Sequence, residues 1–196
     1  IIGLGGSATC DAGIGMLAAL GYQFFDSQGT LIPHPCGKQL SKVHRIDASH
    51  AHAALSQSTF IVACDVNNPL HGKQGAAHIF APQKGANVQE VKLLDNGLQH
   101  IGRLFDATAQ KAISMTPGSG AAGGMGAALT TFLRATLTSG SRLVLETIGF
   151  EKALSGAQIV ITGEGHSDAQ TLMGKLPFRV LNAARKHRVP VILKAG

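Results

Sequence analysis

Apolar positions along this chain follow two rhythms. Steps of three and four residues link Val88, Val91, Leu94, Leu98, Ile101 and Phe105, and they predict one long amphipathic helix over 87–110, weakened slightly by Gly97 and Gly102. Ile14, Leu17 and Leu20 mark a shorter helix over 11–20 that Gly21 would stop. Short unbroken apolar runs predict strands at Ile1 to Leu4, Tyr22 to Phe25, Val43 to Ile46, Thr59 to Cys64, Ala157 to Thr162 and Val189 to Leu193. Thr59 to Cys64 reads as the central one. Further helices are expected near 49–56, from the glycine-rich segment Pro117 to Gly126 through Leu137, and near 178–188. Residues 26–29 form a turn, and residues 33–42 and 65–75 form loops. Strand, loop and helix alternate with no internal repeat and no linker, so the chain is expected to be an α/β protein.

Composition narrows the partners. With 44% hydrophobic residues among 196 the chain can bury a core, and its 14% charged residues are fewer than the ~25% usual for soluble domains. A net charge of +6 suits anionic small molecules. Eight Phe, one Tyr and no Trp make a poor platform for stacking nucleic-acid bases. The densest basic patch, Arg185 to Arg188, closes a predicted helix, where cations complement the dipole. No nucleic-acid partner is therefore expected. No membrane partner is expected either, because the apolar runs are only a few residues long. Cys10, Cys36 and Cys64 lie far apart with no Cys-x-x-Cys pair, which suggests a reducing, cytoplasmic setting. The chain starts on a strand and lacks an initiator Met, so it reads as part of something longer.

Chemistry concentrates in glycine-rich loops that follow strands or open helices, where ligands of open α/β sheets bind. The first loop is Gly3 to Gly13. The second, Asp65-Val66-Asn67-Asn68-Pro69, follows the Thr59–Cys64 strand, and a third, Gly163 to Gln170, follows the Ala157–Ile161 strand. The segment Pro117 to Gly126 adds a helix start rich in backbone N–H groups, which attract anions. Phosphoryl transfer requires a held divalent cation, a positive group near the phosphates and a base near the accepting hydroxyl. Asp65 with Asn67, Glu164 with Asp168, and Lys84 or Lys175 supply those types. Asp65 and Asp168 could instead cap neighbouring helices, a common task for acids.

Other chemistries fit less well. Gly3-x-Gly5-x-x-Ala8 matches a dinucleotide fingerprint, with Asp26 about 20 residues on as a ribose partner. That leaves a dinucleotide-binding oxidoreductase as one alternative, although Thr9 and Asp11 put polar groups where such a helix packs on its sheet. A non-catalytic fragment that binds only anions is another. There is no Gly-x-x-x-x-Gly-Lys-Ser/Thr phosphate loop and no Gly-x-Ser-x-Gly elbow. His44, His50 and His52 lack the spacing and cysteine partners of a zinc site and read as surface residues.

Five motifs together resemble one family. They are Gly5-Gly6-Ser7-Ala8-Thr9-x-Asp11, Ala63-Cys64-Asp65-Val66-x-Asn68-Pro69-Leu70, Phe80-x-Pro82-Gln83-Lys84-Gly85-Ala86, Pro117-Gly118-x-Gly120-Ala121-Ala122-Gly123-Gly124-Met125-Gly126, and Ile161-Thr162-Gly163-Glu164-Gly165. With Asp168, Gln170, Thr171, Gly174-Lys175 and Pro177 they resemble, in order and over the whole chain, the bacterial type-1 glycerate kinases. The resemblance implies ATP-dependent phosphorylation of D-glycerate, at the 2-hydroxyl, with Mg²⁺, and it admits a homodimer. It also implies a restriction-endonuclease-like inserted domain over 1–155 and, over 156–196, the start of the returning part of a flavodoxin/Rossmann-like domain. This part alone is then expected to be inactive.

On the same resemblance Asp168 is the base or metal-orienting acid, with Lys175 and Glu164 beside it as catalytic groups, and Asp65 and Asp168 are the metal ligands. Gly5, Gly6, Ser7, Thr9, Asp11, Asn68 and Lys84 would hold substrate or phosphate. Gly118, Gly120, Gly123 and Gly124 would form a backbone cradle, joined by Gly163 and Gly165. The chain departs from the family pattern at Cys10 (usually Asn), Ala12 (usually Gly), His166-Ser167 (usually Arg-Ile), Arg179 (usually small) and Lys194 (usually apolar). The change at His166 removes a bidentate donor that an Arg would offer an anion.

Overall fold

The computed structural model describes residues 1–164 and 176–195, and the chain divides into two compact units, Ile1–Leu137 and Thr138–Gly196. This packing boundary falls earlier than the family boundary at 155/156 read from the sequence.

In the first unit, β1 (Ile2–Gly3), β4 (Ile61–Ala63) and β5 (Thr136–Thr138) form a sheet in the order β1-β4-β5. β4 is central, as its apolar run predicts, and pairs with β1 in parallel, Ile2 opposite Val62 and Gly3 opposite Ala63. β2 (Gln23–Phe25) and β3 (Arg45–Asp47) form a separate antiparallel pair. Between β1 and β2 lies α1 (Ile14–Ala19), which buries Ile14 and Leu17 and stops before Gly21 at φ 95°.

The 22-residue helix α3 (Val88–Ala109) is the scaffold of this unit. Asn87 opens it: its Oδ1 accepts from the N–H groups of Gln89 and Glu90 at 2.9 and 3.0 Å, while Glu90 reaches back to the Asn87 N–H at 2.9 Å. That reciprocal cap satisfies donors that a helix start leaves unpaired. Val91, Leu98, Ile101 and Phe105 are buried, whereas Val88 is exposed. Gly97 and Gly102 leave room for neighbours: a Cβ at Gly97 would stand 2.8 Å from the Leu40 side chain, and one at Gly102 3.1 Å from that of Ser114.

Several elements differ from expectation. The helix expected near 49–56 is a short 3-10 turn, Ala53–Gln57, because Leu55 is its only large apolar residue and no stripe exists to bury. Residues 37–42, read as loop, form a second 3-10 turn that packs against α3. The polar loop after β4 ends in a helix not anticipated, α2 (Ala76–Phe80), followed by the 3-10 turn Pro82–Lys84 that Gly85 closes at φ 97°. α4 (Ala121–Phe132) stops short of Leu137, and β5 follows it.

In the second unit, α5 (Gly140–Thr147) and α6 (Phe150–Leu154) precede β6 (Val160–Glu164), α7 (Leu176–Lys186) and β7 (Val191–Ala195). β6 and β7 run parallel, from Val160 opposite Val191 to Glu164 opposite Ala195. Leu154, Ala184 and Val189 form the core of this unit. Arg185 and Lys186 lie in the last turn of α7, as the dipole argument expects, and Lys186 also pairs with Glu151 at 3.2 Å.

Candidate functional site

The site is built on the loop between β1 and α1. At Gly3, Gly5 and Gly6 an added Cβ would have no described atom within 4 Å, so the backbone there is open to a ligand. Beyond Ser7 the loop tightens. Both carboxylate oxygens of buried Asp11 are engaged by the first turn of α1, Oδ1 accepting from Gly13 N–H at 3.0 Å and Oδ2 from Gly15 N–H at 3.2 Å. Asp11 therefore shapes the loop as a capping acid. Ala12 sits at φ 54°, the left-handed region that favours glycine, which accounts for the Gly usual there in the family resembled.

Lys84 crosses to this loop from the 3-10 turn after α2. Its ammonium donates to Ser7 Oγ at 2.8 Å and to the Thr9 carbonyl at 2.6 Å. An ammonium has three donors, so one more is available to an anion. Burial pushes the Lys84 pKa below its ordinary value, opposed by the negative charges that Cys10 and Asp11 can carry. Burial likewise pushes the Cys10 thiol up to about 11; Lys84 opposes that rise and Asp11 adds to it.

Two cavities meet at Lys84. The smaller, about 150 Å³, lies among Gly5, Gly6, Ser7, Gln83, Lys84 and Ala122. The larger, about 690 Å³, is bounded by Thr9, Cys10, Asp11, the turn at Cys36–Lys38, Lys84 and the first turns of α3. Gln83 and Ala122 stand within the motifs quoted above, yet nothing in their spacing assigns them a role.

The second glycine-rich segment is buried and packed. Gly120 N–H donates to the Asn68 carbonyl at 2.9 Å, and Ala12 N–H donates to the Gly123 carbonyl at 3.0 Å. Gly124 N–H and Ala127 N–H turn back to Gly120 and Ser119 at 3.2 and 2.9 Å. A Cβ at Gly120 would fall 2.1 Å from the Pro69 carbonyl, and one at Gly123 2.1 Å from the Thr9 carbonyl. Ala122, Gly123 and Gly124 form a left-handed run, at φ 51°, 71° and 98°, before α4 becomes regular. Gly118 is also buried, at φ 88°. These glycines let three stretches of backbone touch, and the N–H groups named above are satisfied within the protein. Asn68 belongs to the same seam, its Nδ2 donating to the Gln74 carbonyl at 2.8 Å.

The remaining sequence-derived residues are distributed as follows. Asp65 is exposed just beyond β4. Gly163 and Glu164 end β6 in the second unit. Gly165, Asp168 and Lys175 lie outside the described residues, as does His166. Among the described residues no three His, Cys, Asp or Glu side chains come together as a metal site. His52 Nδ1 caps its 3-10 turn by accepting from Ala54 N–H at 3.3 Å, a structural task.

The dinucleotide alternative is overturned. Its strand, helix and strand should be neighbours in one parallel sheet, but β1 pairs with β4 while β2 pairs antiparallel with β3. Asp26, the proposed ribose partner, accepts at Oδ1 from Gln28 and Thr30 N–H, each at 2.9 Å, and so holds its own turn.

The chain matches the model of the glycerate kinase family over residues 1–196. It is 44% identical over 196 residues to a glycerate kinase of Bacillus subtilis (strain 168) and to a glycerate 2-kinase of Escherichia coli (strain K12), in each case covering 100% of this chain and 51% of the relative. The crystal structure of a candidate glycerate kinase 2 from Salmonella typhimurium LT2 superposes with a TM-score of 0.84 at 44% identity, covering 98% of this chain and 51% of that one. The chain thus spans about half the length of the curated relatives it matches.

Proposed function

Because this chain belongs to the glycerate kinase family throughout its length, we propose that it serves the ATP-dependent phosphorylation of D-glycerate, at the 2-hydroxyl, to give 2-phosphoglycerate. The observation that carries this reading is the Lys84 ammonium, tethered by Ser7 Oγ and the Thr9 carbonyl where two cavities meet. A fixed, partly desolvated cation beside open glycine backbone is what a small carboxylate or phosphate needs.

Ser7 and Lys84 hold an anionic group. Gly5 and Gly6 let it approach the main chain, and Asp11 keeps the loop in shape through α1. The buried glycines 118, 120, 123 and 124 act with Asn68 in setting the loop's position. ATP supplies the phosphoryl group. Asp168 serves as base toward the 2-hydroxyl, with Lys175 and Glu164 as further catalytic groups; these three roles rest on the sequence motifs. Asp65 and Asp168 would hold Mg²⁺, which would supply charge neutralisation at the transferring phosphoryl group. The parallel β6–α7–β7 unit supports a Rossmann-like second domain, and the packing boundary favours grouping α5 and α6 with it.

The test is ADP release by the complete gene product with and without D-glycerate, with the product's phosphate position read by phosphorus NMR. Asp168→Asn should lower kcat at least ~10²-fold, the scale of general acid–base catalysis. ADP release that does not depend on D-glycerate, or a near-normal rate for the variant, would refute the reading or the assignment respectively.

A further inference from the structure

The two cavities that share Lys84 differ in size and lining, and we infer that they divide the ligands: the smaller takes the three-carbon acid, and the larger takes the nucleoside part of the nucleotide. The choice of ligands rests on the kinase reading; the division rests on geometry.

The smaller cavity, about 150 Å³, equals the liquid volume of about five waters at ~30 Å³ each. Seven non-hydrogen atoms of glycerate suit that space, and a purine with its ribose does not. Its polar groups are Ser7, Gln83 and Lys84, which offer hydroxyl, amide and ammonium contacts to a carboxylate and two hydroxyls.

The larger cavity, about 690 Å³, falls in the ~300–1,000 Å³ range of small-molecule and cofactor sites. Leu93 and Leu94 on α3, with Ala81 and Ala86, supply apolar walls of the kind that hold a flat heterocycle. Polar groups lie among them: Thr9, Cys10, Cys36, the Asp11 carboxylate already taken up by α1, the Lys38 ammonium, and Glu90, which uses Oε2 to cap α3 and keeps Oε1 for a hydroxyl. Lys84 lines both spaces, so an anionic end reaching out of each would meet the same ammonium. That is the arrangement a phosphoryl transfer between the two ligands needs. Leu93 and Leu94 come from α3 and Lys38 from the 3-10 turn after Cys36, outside the quoted motifs, whereas Ala81 and Ala86 lie within one of them.

Cys36 is exposed and lines the larger cavity only, which makes it a reporter. The complete gene product is labelled with iodoacetamide, and alkylation of Cys36 is followed by peptide mass spectrometry. At ten times their Kd, ADP and adenosine should slow Cys36 labelling about tenfold, as simple occupancy requires, while D-glycerate and inorganic phosphate leave it unchanged. Leu93→Glu should raise KM for ATP about tenfold or more, equivalent to ~1.4 kcal/mol, with KM for D-glycerate unchanged. Protection of Cys36 by D-glycerate instead of ADP, or by neither, would overturn the division. So would a Leu93→Glu effect confined to D-glycerate. Protection by ADP without any D-glycerate-dependent ADP release would uphold the nucleoside site and refute the kinase reading, so the two failures are distinct.

Discussion

Gly123→Ala tests whether the buried glycine seam, and not local loop preference, sets the first loop. Two costs combine at this position. The residue has φ 71°, where an L side chain pays ~1–2 kcal/mol. Its new Cβ would also stand 2.1 Å from the Thr9 carbonyl and 2.8 Å from Cys10 Cα, and neither backbone can swing aside like a side-chain end. Overpacking of that kind costs ~1–3 kcal/mol. The sum, ~2–5 kcal/mol, is a large part of the ~5–15 kcal/mol that holds a typical domain. At roughly 2–4 °C per kcal/mol it lowers Tm by roughly 4–20 °C.

Two controls separate the terms by thermal unfolding followed with circular dichroism. Gly6→Ala has φ 58° but no described atom within 4 Å of its Cβ, so it carries only the conformational cost. Gly5→Ala has neither and should stay within ~0.5 kcal/mol of the parent. The order Gly5 < Gly6 < Gly123 is required. Equal losses at all three, or a Gly123→Ala protein within ~1 kcal/mol of the parent, would refute the seam.

Lys84→Met should raise KM for D-glycerate about 10–100-fold in steady-state assays, matching the ~1.5–3 kcal/mol of a charge-assisted hydrogen bond; an unchanged KM removes Lys84 from anion binding. Because burial holds the Lys84 pKa below 10.5, the parent's KM should begin to rise with pH before an ordinary lysine would lose its proton. The unfolded chain binds more protons in that same window, so this group makes stability increase with pH there; a KM flat up to pH 10.5 contradicts the shift. Cys10, with its pKa raised from 9.0 to about 11, should carry about 100-fold less thiolate at pH 8 than an unshifted thiol. Labelling of Cys10 as fast as a small free thiol would contradict its burial beside Lys84. Asn87→Ala should cost about 1 kcal/mol by removal of the α3 cap, read from denaturant midpoints; a change below ~0.3 kcal/mol would mean the cap is redundant.

How far the fold could be read in advance depended on how local its causes are. α3 announces itself through 22 residues of apolar periodicity and a side-chain cap. β4 does so through a dense β-branched and aromatic run. β5 is a three-residue Thr-Leu-Thr strand, and only its neighbour β4 makes it one. The 3-10 turns at 37–42 and 53–57 have too few apolar positions for any periodicity to register. At the site the same limit applies to glycine. Gly5 and Gly6 face open space while Gly120, Gly123 and Gly124 press on backbone, and one letter stands for both. The motif singles out Lys84, but its tether to Ser7 and Thr9 depends on a helix, α2, that short Ala-rich sequence conceals.

The contact between Gly123 and the Thr9–Ala12 backbone also orders events in time. More than a hundred residues separate the two partners. Closing so long a loop defers the reward until distant chain has arrived. On the ribosome, the anion-binding loop is made before Gly123 and takes its final shape only after it. Until Gly123 has emerged, only the local Asp11 cap shapes this loop, and the Ala12 N–H lacks the carbonyl that fixes it against the second glycine-rich segment.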